Sequence, residues 1–351
     1  MKSMLIWIPS ITALVSLSAA PVDGGPQHRT QQTPPVKMGT SGGSANDASH
    51  LYCCGGTLGS LVRRDGVLCI LSNNHILARS GSAASGEDTI QPGLIDHNCA
   101  AGGANIVGDF AGNIVPLGAA NVDAALATAR PTVDATGAII DIGVPCAGTQ
   151  AASLGLPVMK SGRTTGFTTG NITSINTSVQ IQYQKGCNQG KKFNVVFTNQ
   201  IVTGAMSAGG DSGSLLVSND GSPNPVGLLF AGSSSTTIYN PIQSVVSAFT
   251  AGGHTFTFVG NSCLTTEGPA IQAPPAEELA LALEIKVENE QELFEHREVL
   301  GVGIGTLEDT PTAAAIVVYL ESSNGRVPAW VPSSLDGIPV RVILTDKIVA
   351  Q

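Results

Sequence analysis

Short runs of β-branched and aromatic residues, cut apart by Gly, Asn or Asp, restrict this chain to an architecture of many strands and tight turns. Residues 56–62, 67–71, 180–183, 194–198 and 255–259 are such runs, and strand formers bounded by turn formers read as strands and hairpins. Arg64-Asp65-Gly66 stands between the first two, and an Asp-Gly pair suits the left-handed φ values of a two-residue hairpin turn. The 42 Gly and 20 Pro, against 12% charged residues, leave little material for long solvated helices. At 351 residues the chain is long enough for two or three units with substantial cores. Its formal net charge of −9, with no basic cluster, argues against nucleic acid as a partner.

Three polar interruptions of this pattern carry chemistry. Ser207-Ala208-Gly209-Gly210-Asp211-Ser212-Gly213-Ser214 surrounds Ser212 with glycines and runs into the apolar Leu215-Leu216-Val217. Such a tight turn can aim the amides of Gly210 and Ser212 at one point, and aimed donors stabilise a developing oxyanion by about 3–4 kcal/mol each. Gly, Asp and Ser also build ordinary turns, so the run gains weight only from partners. Upstream, the apolar run 68–71 passes through Ser72-Asn73-Asn74 to His75, and between the two lies Asn121-Val122-Asp123-Ala124-Ala125-Leu126-Ala127. A serine hydroxyl attacks only when a base takes its proton, and imidazole suits that task because its pKa lies near neutrality. A buried carboxylate then fixes the imidazole tautomer. Asp109, Asp134 and Asp141 compete with Asp123 for that place, but they sit among Gly, Pro or Thr in less strand-like surroundings.

In order and spacing, these motifs resemble bacterial trypsin-like serine proteases of the chymotrypsin fold. Ser72-Asn73-Asn74-His75 is similar to the histidine step of the HtrA-type branch. Lys160-Ser161-Gly162-Arg163-Thr164-Thr165-Gly166, with Gly170 and Ile172, resembles the strand that opens the second barrel in secreted members. Val226-Gly227-Leu228-Leu229-Phe230-Ala231-Gly232 resembles one wall of their substrate cleft. The resemblance covers about residues 50–250. It implies a mostly β, chymotrypsin-like double β-barrel, the first barrel over residues 50–150 and the second over 151–262.

The implied activity is that of a serine endopeptidase acting on protein or peptide substrates with no cofactor. Ser212 would be the nucleophile, His75 the base, Asp123 its orienting acid, and the Gly210 and Ser212 amides the oxyanion hole. The implied primary pocket has Met206 at its base and Phe230, Ala231 and Gly232 on its wall, which suits apolar or small side chains rather than Lys or Arg. Two departures stand out. Ile76 follows the histidine where the family often has a cysteine, and no Ile-Val-Gly-Gly-type start is present to hold Asp211, which leaves two alternatives: activation without cleavage beyond signal removal, or another partner for Asp211. The alternative is a catalytically inactive binding or scaffold protein on the same barrel. An α/β-hydrolase would need Gly at position 214 and the order Ser, acid, His, and the chain has neither.

Cysteines at 53, 54, 69, 99, 146, 187 and 263 suit an oxidising compartment, their odd number leaves at least one unpaired in a monomer, and their connectivity is open. Cys53-Cys54 is adjacent rather than spaced for ligation and His97-Asn98-Cys99 lacks a second half, so no metal site is expected. Lys2, the apolar stretch 5–17 and Ser18-Ala19-Ala20 have the layout of a signal peptide over residues 1–20, hence a secreted or otherwise extracytoplasmic protein. The apolar stretch is short for a membrane span and contains Pro9, so no membrane contact is expected once the signal is removed. Residues 21–49, polar and aperiodic, read as a flexible leader.

A Pro-rich linker over 263–276 leads to a small α/β domain over 277–351. There Leu279, Leu283, Val287 and Leu293 suggest one face of an amphipathic helix, and residues 299–305, 315–320 and 340–345 read as strands. Residues 335–342 resemble an extension found beside bacterial trypsin-like domains. Gly301, Gly303 and Gly305 lack the spacing and the lysine of a phosphate loop and read as a turn after a buried strand. No carboxylate-binding loop of a PDZ domain is found, and the oligomeric state is left open.

Overall fold

The computed structural model describes residues 25–263, 272–321 and 325–351. The expected signal peptide lies outside the described residues, as does the linker stretch 264–271. The first half of the chain supplies β1 (Thr40–Ser44), β2 (Gly56–Leu58), β3 (Ser60–Arg64), β4 (Val67–Ser72), β5 (Asp88–Gln91), β6 (Asn105–Ile114) and β7 (Ala125–Ala129), with the short helix α1 (Asn74–Leu77) after β4. Next come β8 (Pro157–Gly162), β9 (Gly166–Gln184), β10 (Lys192–Gly204), β11 (Leu215–Ser218), β12 (Pro225–Gly232), β13 (Thr236–Pro241), helix α2 (Ile242–Thr250) and β14 (Phe256–Phe258). The last part holds α3 (Ala276–Glu295), β15 (Val299–Thr306), β16 (Ala314–Glu321), β17 (Ser334–Leu335), β18 (Ile338–Thr345) and β19 (Val349–Ala350).

These strands form two sheets, and the fold is mostly β. The first is 8-stranded in the order β14-β3-β4-β7-β6-β5-β1-β2. Its β3–β4 hairpin turns at Asp65 and Gly66, both at positive φ (51° and 79°), as the Asp-Gly pair requires. The second sheet is 11-stranded, and within it β8, β9, β10, β13, β12 and β11 close into a ring because the long β9 pairs both β8 and β10. Leu156, Val158, Ile172, Ile201, Leu216 and Tyr239 are buried together in this second sheet.

Three local readings differ from the sequence expectation. Residues expected in a flexible leader instead contribute β1 and the fully buried Val36 and Met38. The Thr-Ser-Gly-Gly-Ser of β1 carries no hydrophobic signal, yet its small size is what lets it lie against β2, since a Cβ on Gly42 would overlap the Leu58 side chain. Gly301, Gly303 and Gly305 lie inside β15 rather than in a turn, and a Cβ on Gly303 would collide with Ser174 and Thr177 of β9. On α3 the inward face is Leu279, Ala282, Ile285 and Leu293, whereas Leu283 and Val287 point outward. Steps of four residues drift by about 40° each around a helix, so the run 279, 283, 287 leaves the face on which it starts.

The strands after α3 continue the second sheet. β15 pairs antiparallel with β9, β16 with β15, and β18 runs parallel to β16, while α3 packs on them through Ala282, Ile285 and Leu293. Cys53–Cys99, Cys54–Cys187 and Cys146–Cys263 are disulfides, and Cys69 is free and buried. The second of them ties the segment before β2 to the β9–β10 hairpin.

Candidate active site

His75 enters the site on α1, a single turn fixed by its neighbours' side chains. Asn73 donates from Nδ2 to the Asp123 carbonyl at 2.7 Å and Asn74 from Nδ2 to the Val115 carbonyl at 2.9 Å. Both asparagines are buried, so these polar groups lock the turn onto the segment around Asp123. Asp123 lies just before β7 and is fully buried, and its N–H donates to Asn240 Oδ1 at 2.9 Å. Its carboxylate accepts from His75 Nδ1 at 2.6 Å, from the His75 backbone N–H at 3.3 Å and from the Tyr183 hydroxyl at 2.8 Å.

Two groups around this carboxylate are shifted. Burial, then the Asp123 charge beside it, holds the Tyr183 phenol well above its ordinary pKa, so it remains a neutral donor. Burial alone would push the His75 imidazole down. The Asp123 charge and hydrogen bond, joined by the Gln351 carbonyl and Asp47, outweigh that and hold it above the ordinary 6.5. Asp47 is itself raised to about 6, burial outweighing the opposing charges of Arg79 and His75.

Ser212 sits in the turn between β10 and β11, with Gly210 at φ 99° and Gly213 at φ 96°. Glycine is required at 213 on two counts, because a Cβ there would also overlap Ser72 Oγ and the Thr57 carbonyl of the first sheet. Thr57 fastens the turn from the same side: its N–H donates to the Ser212 carbonyl at 2.8 Å and its hydroxyl to the Gly210 carbonyl at 3.0 Å. Among the described residues, the amides of Gly210 and Ser212 donate to no other group.

The Asp211 carboxylate beside Ser212 is anchored by Lys160 of β8, with Nζ to Oδ2 at 3.3 Å and neither side chain exposed. It also accepts from the N–H groups of Thr164 (2.7 Å), Thr165 (3.1 Å) and Ala208 (3.0 Å) and from the Thr165 hydroxyl (2.6 Å). Burial holds the Lys160 ammonium below the usual lysine range against the pull of Asp211. Of the two alternatives open for Asp211, the geometry matches the one in which a group other than an N-terminal amine holds it, here Lys160.

The hydroxyl and the imidazole do not touch directly. Ser212 Oγ donates to the Phe230 carbonyl at 3.1 Å, and Gln351 lies between the two side chains. The Gln351 N–H reaches Ser212 Oγ at 3.2 Å and the Phe230 carbonyl at 3.3 Å, while its carbonyl stands 3.2 Å from His75 Nε2. A cleft of about 550 Å³ opens beside this point, with Gly209, Gly210, Tyr183 and Asp47 among its lining.

Of the residues expected to shape a primary pocket, Met206 is buried, its sulfur 3.8 Å from the Tyr239 hydroxyl. The Phe230 ring packs on Phe197 at 4.9 Å within the core, so its carbonyl rather than its side chain faces the site. Ala231 and Gly232 pair with Ala350 and Val349. The rival aspartates are engaged elsewhere, Asp109 with Arg130, Asp134 with Thr136 and Asp141 with His28. Asp47, Cys54 and Cys187 lie close enough together to suggest a metal cluster, but the two sulfurs are bonded to each other and offer no thiolate.

The chain is similar in structure to bacterial serine proteases. A glutamic-acid-specific serine protease matches at 20% identity and a TM-score of 0.43, over 64% of this chain and 100% of its own. Thermobifida fusca protease A matches at 19% identity and a TM-score of 0.41, over 69% and 100%. A homologue of alpha-lytic protease matches at 18% identity and a TM-score of 0.42, over 63% and 98%. No family model matches the chain, and no curated relative does.

Tyr183, Lys160, Asn240 and Gln351 are site residues that sequence reasoning missed. Lys160 had a signal, being a lone charge within an apolar strand, which demands a buried partner. For Tyr183, replacement by Phe leaves a buried carboxylate short of one donor. That costs about 1–3 kcal/mol, read as a lower urea midpoint; an unchanged midpoint would show that the bond is not made.

Proposed function

We propose that this protein is a serine endopeptidase in which Ser212 is the nucleophile, His75 the base and Asp123 its orienting acid. The observation that supports this most is a convergence at one residue. Ser212 Oγ and His75 Nε2 each stand 3.2 Å from the Gln351 backbone, while Asp123 holds the other imidazole nitrogen at 2.6 Å. A peptide in that place meets a hydroxyl and a base together. Rotation of Ser212 about χ1 takes Oγ from the Phe230 carbonyl toward His75, and such rotamer changes are fast.

In the reaction, Oγ attacks the peptide carbonyl as its proton passes to Nε2, and the carbonyl oxygen becomes an oxyanion facing the Gly210 and Ser212 amides. Collapse breaks the C–N bond, and His75 gives its proton to the departing amine. Water then attacks the Ser212 ester with His75 again as base, which frees the acid and restores the hydroxyl. The chain's own groups supply every proton position in this sequence. Three disulfides agree with an oxidising, extracytoplasmic setting.

Covalent labelling of Ser212 by a fluorophosphonate tests the reading. It is measured on the full chain and on a chain shortened to Ile348, because residues 349–351 lie over the hydroxyl, and Ser212→Ala abolishes it in both. No labelling of either form would favour the inactive scaffold instead. The labelling rate should rise with pH as His75 loses its proton. Since the full chain's imidazole is held above 6.5, the rate of that form is low under mildly acid conditions and its midpoint lies above that value. A midpoint at or below 6.5 would contradict the pairing with Asp123.

A further inference from the structure

The segment after β18 is built into the cleft. Thr345 Oγ1 donates to Ser233 Oγ at 2.7 Å, and Asp346 accepts from the Ser234 N–H at 2.8 Å and from its hydroxyl at 2.6 Å. Ile348 is buried among Val179, Ile181, Phe197 and Phe230, and its carbonyl accepts from the Gln182 N–H at 3.0 Å. Val349 and Ala350 then form β19, antiparallel to Gly232 and Ala231 of β12 on one side and parallel to β9 on the other. Strand addition of this kind takes its affinity from main-chain bonds and its selectivity from the side-chain positions. Gln351 completes the path with its N–H on Phe230 and its carbonyl at His75.

Resting on the serine endopeptidase reading, we infer that residues 349–351 occupy the acyl side of the cleft along the strand path of a substrate, with the Gln351 oxygen on His75 Nε2 rather than on the Gly210 and Ser212 amides. They block Ser212 in cis and report that the enzyme accepts a neutral, unbranched side chain before the scissile bond. Gln351 takes the place of the residue whose carbonyl is attacked, with Ala350 and Val349 as the two before it. Its side chain passes over Gly232, where any Cβ would overlap the amide. The amide oxygen is buried there without a donor. A glutamate carboxylate in that position would bury a charge uncompensated, a far larger penalty than the one neutral oxygen that glutamine leaves unpaired, and its isostere methionine has no such oxygen.

The Nε2 contact bears on the proton. With Nδ1–H facing Asp123, Nε2 can donate to the Gln351 carbonyl only as imidazolium, the form that cannot accept from Ser212. A tethered occupant also acts at an effective concentration on the order of millimolar, so the full chain is expected to label slowly.

The experiment compares fluorophosphonate labelling of the full chain, the chain shortened to Ile348, and Gln351→Pro, which keeps the length but removes the N–H shared by Ser212 and Phe230. The shortened chain should label about 10²-fold faster, Gln351→Pro should also accelerate, and free Ile-Val-Ala-Gln peptide should slow the shortened chain again. Fluorogenic Val-Ala-X amides should then be cleaved with Gln and Met ahead of Glu and Lys by about tenfold or more. Equal labelling of all three forms would overturn the cis block. Fast labelling without that preference would overturn the side-chain assignment while leaving the protease reading in place. No labelling of any form, indistinguishable from Ser212→Ala, would remove the protease reading and this inference with it.

Discussion

Asp123→Asn should lower the acylation rate of the shortened chain by about 10⁴-fold while leaving the fold intact. The reason is tautomeric. Asp123 is fully buried and its Oδ2 accepts from His75 Nδ1 at 2.6 Å, so the ring carries its proton on Nδ1 and presents a lone pair on Nε2. An asparagine in the same place offers an N–H₂ group to Nδ1. The proton then moves to Nε2, and the ring can no longer take one from Ser212. The corresponding change in a serine protease with an established triad has an effect of that size. The substituted side chain stays buried, with Tyr183, the His75 backbone and Asn73 around residue 123. Labelling kinetics at high pH check the expectation. A loss below about tenfold would mean that Asp123 does not orient His75.

Lys160→Met should be nearly as severe, but through stability. It leaves the Asp211 carboxylate buried with four hydrogen bonds and no counter-charge. Removing one partner of a buried pair costs about 3–5 kcal/mol, a large share of the 5–15 kcal/mol that stabilises a typical protein. The effect reaches function because Asp211 precedes Ser212 directly and organises its turn through Thr164, Thr165 and Ala208. The double variant Lys160→Met, Asp211→Asn removes both charges and should recover part of the loss. Urea unfolding of the single and double variants measures this, and labelling reports the turn. Equal midpoints for the wild type and Lys160→Met would show that the pair contributes nothing.

The strand-and-turn architecture was legible because its signals are local. The Asp65-Gly66 turn, the runs that became β4 and β14, and the strands 299–306 and 314–321 all follow from residues adjacent in the chain. His75, Asp123 and Ser212 could be singled out because each interrupts an apolar run with a group that has chemistry. The remainder depends on residues far apart in sequence. Tyr183 is an ordinary strand tyrosine until β9 carries it to Asp123, 60 residues away. Gln351 lies 139 residues from Ser212 and belongs to a segment with no motif. The β1 strand escaped notice for the opposite reason, since small polar residues bury as well as apolar ones when a neighbouring backbone must come close. Phe230 was placed on a pocket wall by position alone, whereas strand alternation turned its ring to Phe197.

One strand has a bearing on how the molecule is made. β14 supplies an edge of the first sheet by pairing with β3, Phe256 opposite Arg64 and Phe258 opposite Val62, and the Asp65 N–H next to this pair reaches the Thr255 hydroxyl 190 residues away. While the nascent chain emerges from the ribosome, the early strands therefore wait with an exposed flank until most of the later ring has been synthesised. Contacts of such separation slow folding, and an unpaired strand edge invites association with other chains in the interval. Assembly of the N-terminal half is thereby timed by the C-terminal half.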